Sequence, residues 1–124
     1  MTALPIADAA ARTGLSIETL RYYERDGLLL RPVPRSSSGQ RRYEEADITW
    51  LELLTRLRAT GMPIRDVRRY AELVRTGTGT EAERLELLRS HRAAVLAQLA
   101  ELTDHLGAID RKIGIYEELL TLGG

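Results

Sequence analysis

The 124-residue sequence contains no cysteine and no phenylalanine. The first absence removes disulfides, thiolate metal sites and cysteine-based redox sensing together. The second leaves the core to aliphatic side chains, chiefly leucine, helped by five Tyr and one Trp. Long apolar runs are missing too. Nothing approaches the roughly 18 to 20 residues that a membrane span needs, so no membrane partner is expected. The N-terminal residues have neither the basic flank nor the apolar stretch of a signal peptide, and a cytoplasmic location is the expectation. Constellations that carry chemistry are also lacking. There is no nucleophile beside a histidine, no paired acid and base, no metal-ligating cluster and no glycine-rich phosphate loop. The chain is not expected to be an enzyme, and no cofactor or metal is called for.

What is present is a soluble-protein composition, 44% hydrophobic and 29% charged, enough for one compact domain plus an extended element. The formal net charge of zero conceals an asymmetry: residues 1–75 carry a net +3 and residues 76–124 a net −3. Within the basic half, Arg31 to Tyr43 holds Arg31, Arg35, Arg41 and Arg42 and no acid. A local basic stripe matters more for phosphate binding than the net figure.

Residues Ile6 to Thr13 read as a short helix closed by Gly14. Ser16 is a good N-cap for a second helix, from Ile17 to about Arg25, with Glu18 in its first turn and a stop at Gly27. Two short helices joined by a glycine-containing turn fit a helix-turn-helix, whose second helix enters the major groove. Pro32 and Pro34 then forbid a helix and point to an edge strand. Arg35 to Gly39 is a turn cluster, and Gln40 to Tyr43 can return as a second strand, giving a basic hairpin of the kind called a wing. Glu44 to Arg58 is amphipathic, with Ile48, Leu51, Leu54 and Leu57 inward. Gly61-Met62-Pro63 breaks it, and Ile64, Val67, Ala71 and Val74 mark a fourth helix opened by Pro63.

The expected organisation is a DNA-binding head over 3–75 (helix-turn-helix about 6–26, wing about 30–43), a linker over 76–80 and a helix over 81–120. In that helix Leu85, Leu88, Arg92, Val95, Leu99, Leu102, Leu106, Ile109, Ile113, Tyr116 and Leu120 alternate at steps of three and four. This is the a/d seam of a coiled coil, with Arg92 its one polar member. A helix of this length spans about 60 Å, more than the head can cover, so the seam calls for a second copy. Strand orientation is not readable from the pattern. The fold class expected is mainly α: a winged helix-turn-helix head followed by a long dimerisation helix.

Ordered motifs then narrow the reading. Thr19-Leu20-Arg21-Tyr22-Tyr23-Glu24 is followed by Gly27-Leu28-Leu29, by Gly39-Gln40-Arg41-Arg42-Tyr43, and by Leu57-Arg58-Ala59-Thr60-Gly61-Met62-Pro63-Ile64. In these residues the chain resembles the MerR family of transcription regulators over 6–75, and the C-terminal helix matches in position and type. The resemblance implies an antiparallel coiled coil between two protomers. It further implies binding to a palindromic operator in a promoter whose two polymerase-recognition elements are spaced too far apart. An effector then lets the dimer bend and untwist that duplex for RNA polymerase, a deformation offset by added protein contacts. Ala7 stands where glycine is common in the family, Ala9 replaces a larger apolar residue, and Gln40 stands where Gly-Tyr is frequent. Only Thr121 to Gly124 follow the coil, so a short form without a separate effector domain is expected, and no sensing site is recognisable for a small-molecule effector.

The candidate DNA contacts follow. Arg21 can fork onto guanine or phosphate oxygens, and the Tyr22 hydroxyl can hold a phosphate. Ser16, Glu18 and Thr19 lie where base edges are reachable. In the wing, Arg35, Arg41 and Arg42 meet phosphates or the minor groove, helped by Ser38 and Gln40, while Arg58 and Arg65 reach phosphates beyond it. Tyr23, Tyr43 and Trp50 are packing residues. The dimer contacts are the seam positions named above apart from Arg92, which snorkels or pairs with a partner's acid. His91 and His105 fall short of a metal site. The partners expected are double-stranded promoter DNA, a second copy, RNA polymerase and a small-molecule effector, in the cytoplasm at the nucleoid. A DNA-bending architectural protein of the excisionase kind, without ligand response, is the alternative, and a coiled-coil adaptor whose head binds protein is a third reading.

Overall fold

In the computed structural model, residues 3–32 and 42–123 are described. They form β1 (Leu4–Pro5), α1 (Ile6–Thr13), α2 (Ile17–Arg25), β2 (Arg42–Tyr43), α3 (Glu45–Ala59), α4 (Ile64–Thr76) and α5 (Glu81–Gly123). Two units divide the chain, residues 1–88 and 89–124.

The first unit is built on local signals that agree with its packing. Ser16 caps α2: its Oγ accepts the Thr19 N–H at 3.0 Å and lies 2.9 Å from the Thr19 hydroxyl. The end of α2 is a Schellman turn. Gly27, at φ 72°, donates its N–H to Glu24 O, and the Leu28 N–H reaches back to Tyr23 O at 2.9 Å. A side chain at Gly27 would be strained in that left-handed conformation. The same device closes α3, where Gly61 (φ 94°) donates to Arg58 O and Met62 to Leu57 O. In both turns the residue after the glycine, Leu28 or Met62, drops into the core.

That core gathers Leu20, Leu28, Tyr43, Ile48, Leu51, Leu54, Met62 and Val67, all essentially inaccessible. Trp50 lies among them with its ring stacked on Tyr70, centroids 5.6 Å apart and planes 10° from parallel. The inward row of α3 is therefore the one its spacing implies, and Tyr23, Tyr43 and Trp50 all pack the head.

The strand at Arg42–Tyr43 is present, and it pairs with a segment that the sequence pattern does not announce. β2 runs antiparallel to β1, with Leu4 opposite Tyr43 and Pro5 opposite Arg42. Residues 28–32 hold no strand, and the rest of the expected hairpin, 33–41, lies outside the described residues. Leu4–Pro5 escaped notice because a two-residue strand carries no period to read. Pro5 also lacks a ladder donor, which suits an edge.

Thr80 starts α5 from a buried position. Its hydroxyl lies 2.8 Å from both Leu73 O and Gly77 O, and its carbonyl accepts the Arg84 N–H at 2.9 Å. The first turns of α5 belong to the head unit, where Leu87 and Leu88 pack against its core. Leu88, a seam position in the heptad reading, is thus half-buried within its own chain. The described part of the second unit, residues 89–123, is helix alone, and its large apolar side chains are exposed: Leu99 57%, Leu102 64%, Leu106 55%, Ile109 57%, Ile113 51%, Tyr116 55% and Leu120 77%. No described helix is long and apolar enough to cross a membrane.

Candidate nucleic-acid interface

The face of α2 opposite the core is polar by necessity. Leu20 and Tyr23 are buried, so residues three or four positions apart on the other side, Glu18, Arg21 and Arg25, are exposed. Tyr22 lies half-buried at the border. Its ring is tilted against Tyr23 at 5.9 Å between centroids, and the Arg25 guanidinium stands 6.0 Å from its centre. Two neighbours therefore orient the Tyr22 ring, within reach of a weak cation–π attraction. Ser16 and Thr19 use their side chains on each other in the cap. Burial pushes the pKa of the Tyr23 hydroxyl up, so it stays protonated at neutral pH.

Many of the head's arginines are engaged within the protein. Arg12 forms a two-pronged pair with Glu45, joining α1 to α3. The hydrogen bond from Arg12 holds the Glu45 carboxyl below its ordinary value. Arg31 Nη2 donates to Asp47 Oδ2 at 2.7 Å, and the same oxygen accepts the Glu44 N–H at 2.8 Å. Asp47 is buried, so this pairing is what makes its charge tolerable there. Arg58 Nη1 donates to Met62 O at 2.6 Å and closes the α3–α4 turn. Arg68 pairs with Asp26 at 2.7 Å, Arg69 with Glu83 at 2.9 Å, and Arg75 donates to Gly27 O and Leu29 O at 2.8 and 2.7 Å.

The basic excess seen in composition is thus partly structural. Of the expected contacts, Arg21 is exposed on α2, and Arg65 at the start of α4 has an 83% exposed side chain that lies 4.0 Å from Asp66. Arg42 is half-exposed on β2. Arg58 is committed to a backbone carbonyl. Arg35, Ser38, Gln40 and Arg41 lie outside the described residues. Composition missed Asp26, Asp47, Arg68 and Arg75 as organisers of the site. Arg68 and Arg75, seven apart and so on one face of α4, carried the only legible hint.

A capped, outward-facing second helix, joined through a glycine turn to the first, defines a helix-turn-helix DNA-binding protein. Residues 4–73 match the family described as MerR HTH family regulatory protein, and residues 48–112 match that described as MerR, DNA binding. The chain belongs to the MerR family of transcriptional regulators. It is similar to a Haemophilus influenzae protein named as an uncharacterized HTH-type transcriptional regulator, 39% identical over 94% of this chain and 86% of that one. It is also similar to the solved structure of HiNmlR, described as a MerR family regulator lacking the sensor domain, bound to promoter DNA. That likeness has 38% identity and a TM-score of 0.83, over 98% of this chain and 96% of that chain. A MerR family regulator from Bacillus thuringiensis is 29% identical, with a TM-score of 0.78 over 90% of this chain and 97% of that chain.

Proposed function

We propose that two copies of the chain pair through the α5 seam and place two heads on a palindromic operator inside a promoter. In each head Arg21 reads a base edge or phosphate from the major groove and Tyr22 holds the backbone. Arg42, Arg65 and the wing cations Arg35 and Arg41 bind phosphates. The observation that carries the reading is the polarity of α2, its apolar side buried and Arg21 turned outward from a well-capped first turn. The exposed row from Leu99 to Leu120 supports the pairing, because a soluble chain gains by burying so contiguous an apolar stripe. In the manner the family resemblance implies, the bound pair would distort the duplex for RNA polymerase in response to a small-molecule effector. The promoter DNA held by the HiNmlR relative supports the choice of duplex.

Footprinting on the region upstream of the chain's own gene tests this, with and without polymerase. The expected result is protection symmetric about a dyad, lying between the two polymerase-recognition elements, with a hypersensitive centre. Protection of a site away from any promoter would favour the architectural reading instead. Absence of any protected site on promoter DNA would overturn both.

A further inference from the structure

Four consecutive residues between α2 and the wing segment are each held by a side chain from α3 or α4. Arg68 Nη2 donates to Asp26 Oδ2 at 2.7 Å. Arg75 Nη1 donates to Gly27 O at 2.8 Å and Leu29 O at 2.7 Å. Trp50 Nε1 donates to Leu28 O at 2.9 Å from a buried, stacked ring. Two residues further on, Arg31 continues the series onto Asp47 at 2.7 Å. The return side is fixed as well, through β2 on β1 and the fully buried Tyr43.

Gly27 sits in the middle of this run at φ 72°. Glycine has the widest backbone freedom of any residue, so a chain leaving a helix through it can swing unless something outside holds it. The ties supply that hold. By charge alone Arg68 and Arg75 count as phosphate contacts, yet their donors are directed at the protein's own chain.

We propose that Asp26, Arg68 and Arg75 are positioning residues for DNA binding. Together they lock the exit of α2 to the residues that follow it, and so set the distance between Arg21 and Arg42 on β2. This rests on the reading that α2 and the wing engage one duplex. Two contacts that must fall in neighbouring grooves are useful only at one spacing, and holding that spacing before binding removes an ordering cost from association. The lock contributes affinity without touching DNA.

The test exploits a sign. Asp26→Ala deletes a negative charge from a DNA-binding head, and a pure charge effect would tighten binding. The lock predicts the reverse. The full-length wild-type chain is used to select duplexes from a random pool, and the enriched duplex is then titrated with each variant over a range of salt. Asp26→Ala should bind roughly tenfold more weakly, the scale of coupling within one hydrogen-bond network, with a shallower salt slope as wing phosphates are lost. Arg75→Lys keeps the charge but ends one atom short of Nη1, the single donor nitrogen that meets both carbonyls, and should weaken binding similarly. Arg68→Gln on top of Asp26→Ala should add little, because both remove one tie. Thermal melting of each variant shows that the head stays folded, and Arg75→Lys keeps the test open should Asp26→Ala unfold it. Equal or tighter binding by Asp26→Ala and unchanged binding by Arg75→Lys, with the wild type selecting a duplex normally, would overturn the lock alone. Failure of the wild type to enrich any duplex would overturn the DNA-binding reading beneath it.

Discussion

Leu54 in α3 and Leu102 in α5 are the same residue in helices of similar amphipathic spacing, yet one is inaccessible and the other is 64% exposed. The head satisfies its apolar faces within the chain. Its leucines share one core with side chains from α1, α2, α3 and α4, and Gly27 and Gly61 turn the chain back so that Leu28 and Met62 join it. From Arg89 onward a single helix has nothing of its own unit to pack against, and a row of leucines and isoleucines faces outward. The same pattern thus has two meanings. Spacing of three and four says which face is apolar, and chain connectivity decides whether the cover comes from the same molecule or another.

The largest expected effect comes from attacking the uncovered row. Leu102→Glu, at its middle, should remove about 2–5 kcal/mol of packing per site in a paired coil, before any added cost of an unpaired buried carboxylate. Sedimentation should show single chains at micromolar concentration, with operator binding lost although Leu102 is not among the proposed DNA contacts. An intact pair with normal operator affinity would refute the seam. The matching change in the head, Leu54→Ala, should cost about 2–5 kcal/mol of head stability and leave pairing untouched. Chemical denaturation followed by circular dichroism measures it, and a shift in pairing would blur the contrast between the two regions.

Much of this was legible beforehand, for identifiable reasons. Ser16, Gly14, Gly27 and Pro63 bracket the helices because each satisfies or terminates backbone hydrogen bonding in a way its neighbours cannot. The α3 row from Ile48 to Leu57 was legible because every member faces one core. Three things were hidden. β1 is too short for a period. Leu88 belongs to the heptad pattern and also packs the head, and a repeat does not report which surface is nearer. The fate of each arginine was invisible, since Arg31, Arg58, Arg68 and Arg75 are distinguished from Arg21 and Arg65 only by partners 4 to 48 positions away in sequence.

That last division supports a smaller prediction. Arg21→Ala should cost about 1–3 kcal/mol of operator affinity and relax preference at one base position, if Arg21 reads a base edge. Arg65→Ala should weaken all duplexes alike and lower the salt slope by about one unit, as loss of one phosphate contact does. Anisotropy titrations across salt on matched and mismatched duplexes separate the two, and equal loss on every sequence in both variants would remove Arg21 from base reading.

The smallest effect is in acid. The Glu45 carboxyl is held below its ordinary value by Arg12, so its contribution to folding is present above that ordinary value. It is lost as pH falls through the lowered one. Both side chains are nearly half exposed, so the effect is slight and salt-sensitive. Glu45→Gln should flatten the acid side of the head's stability curve in urea titrations and leave neutral pH almost unchanged. A wild-type acid limb would mean that the pair contributes nothing.

The contrast between a self-sufficient head and a helix proposed to pair with a second copy is tested most directly by counting chains. Sedimentation equilibrium of the wild-type protein at micromolar concentration, alone and with a palindromic duplex, gives that number. The account predicts twice the chain mass in free solution and two chains on each full palindrome, with sharply weaker binding to a half-site. A single-chain mass in free solution, with one chain binding a half-site as tightly as the full palindrome, would contradict it.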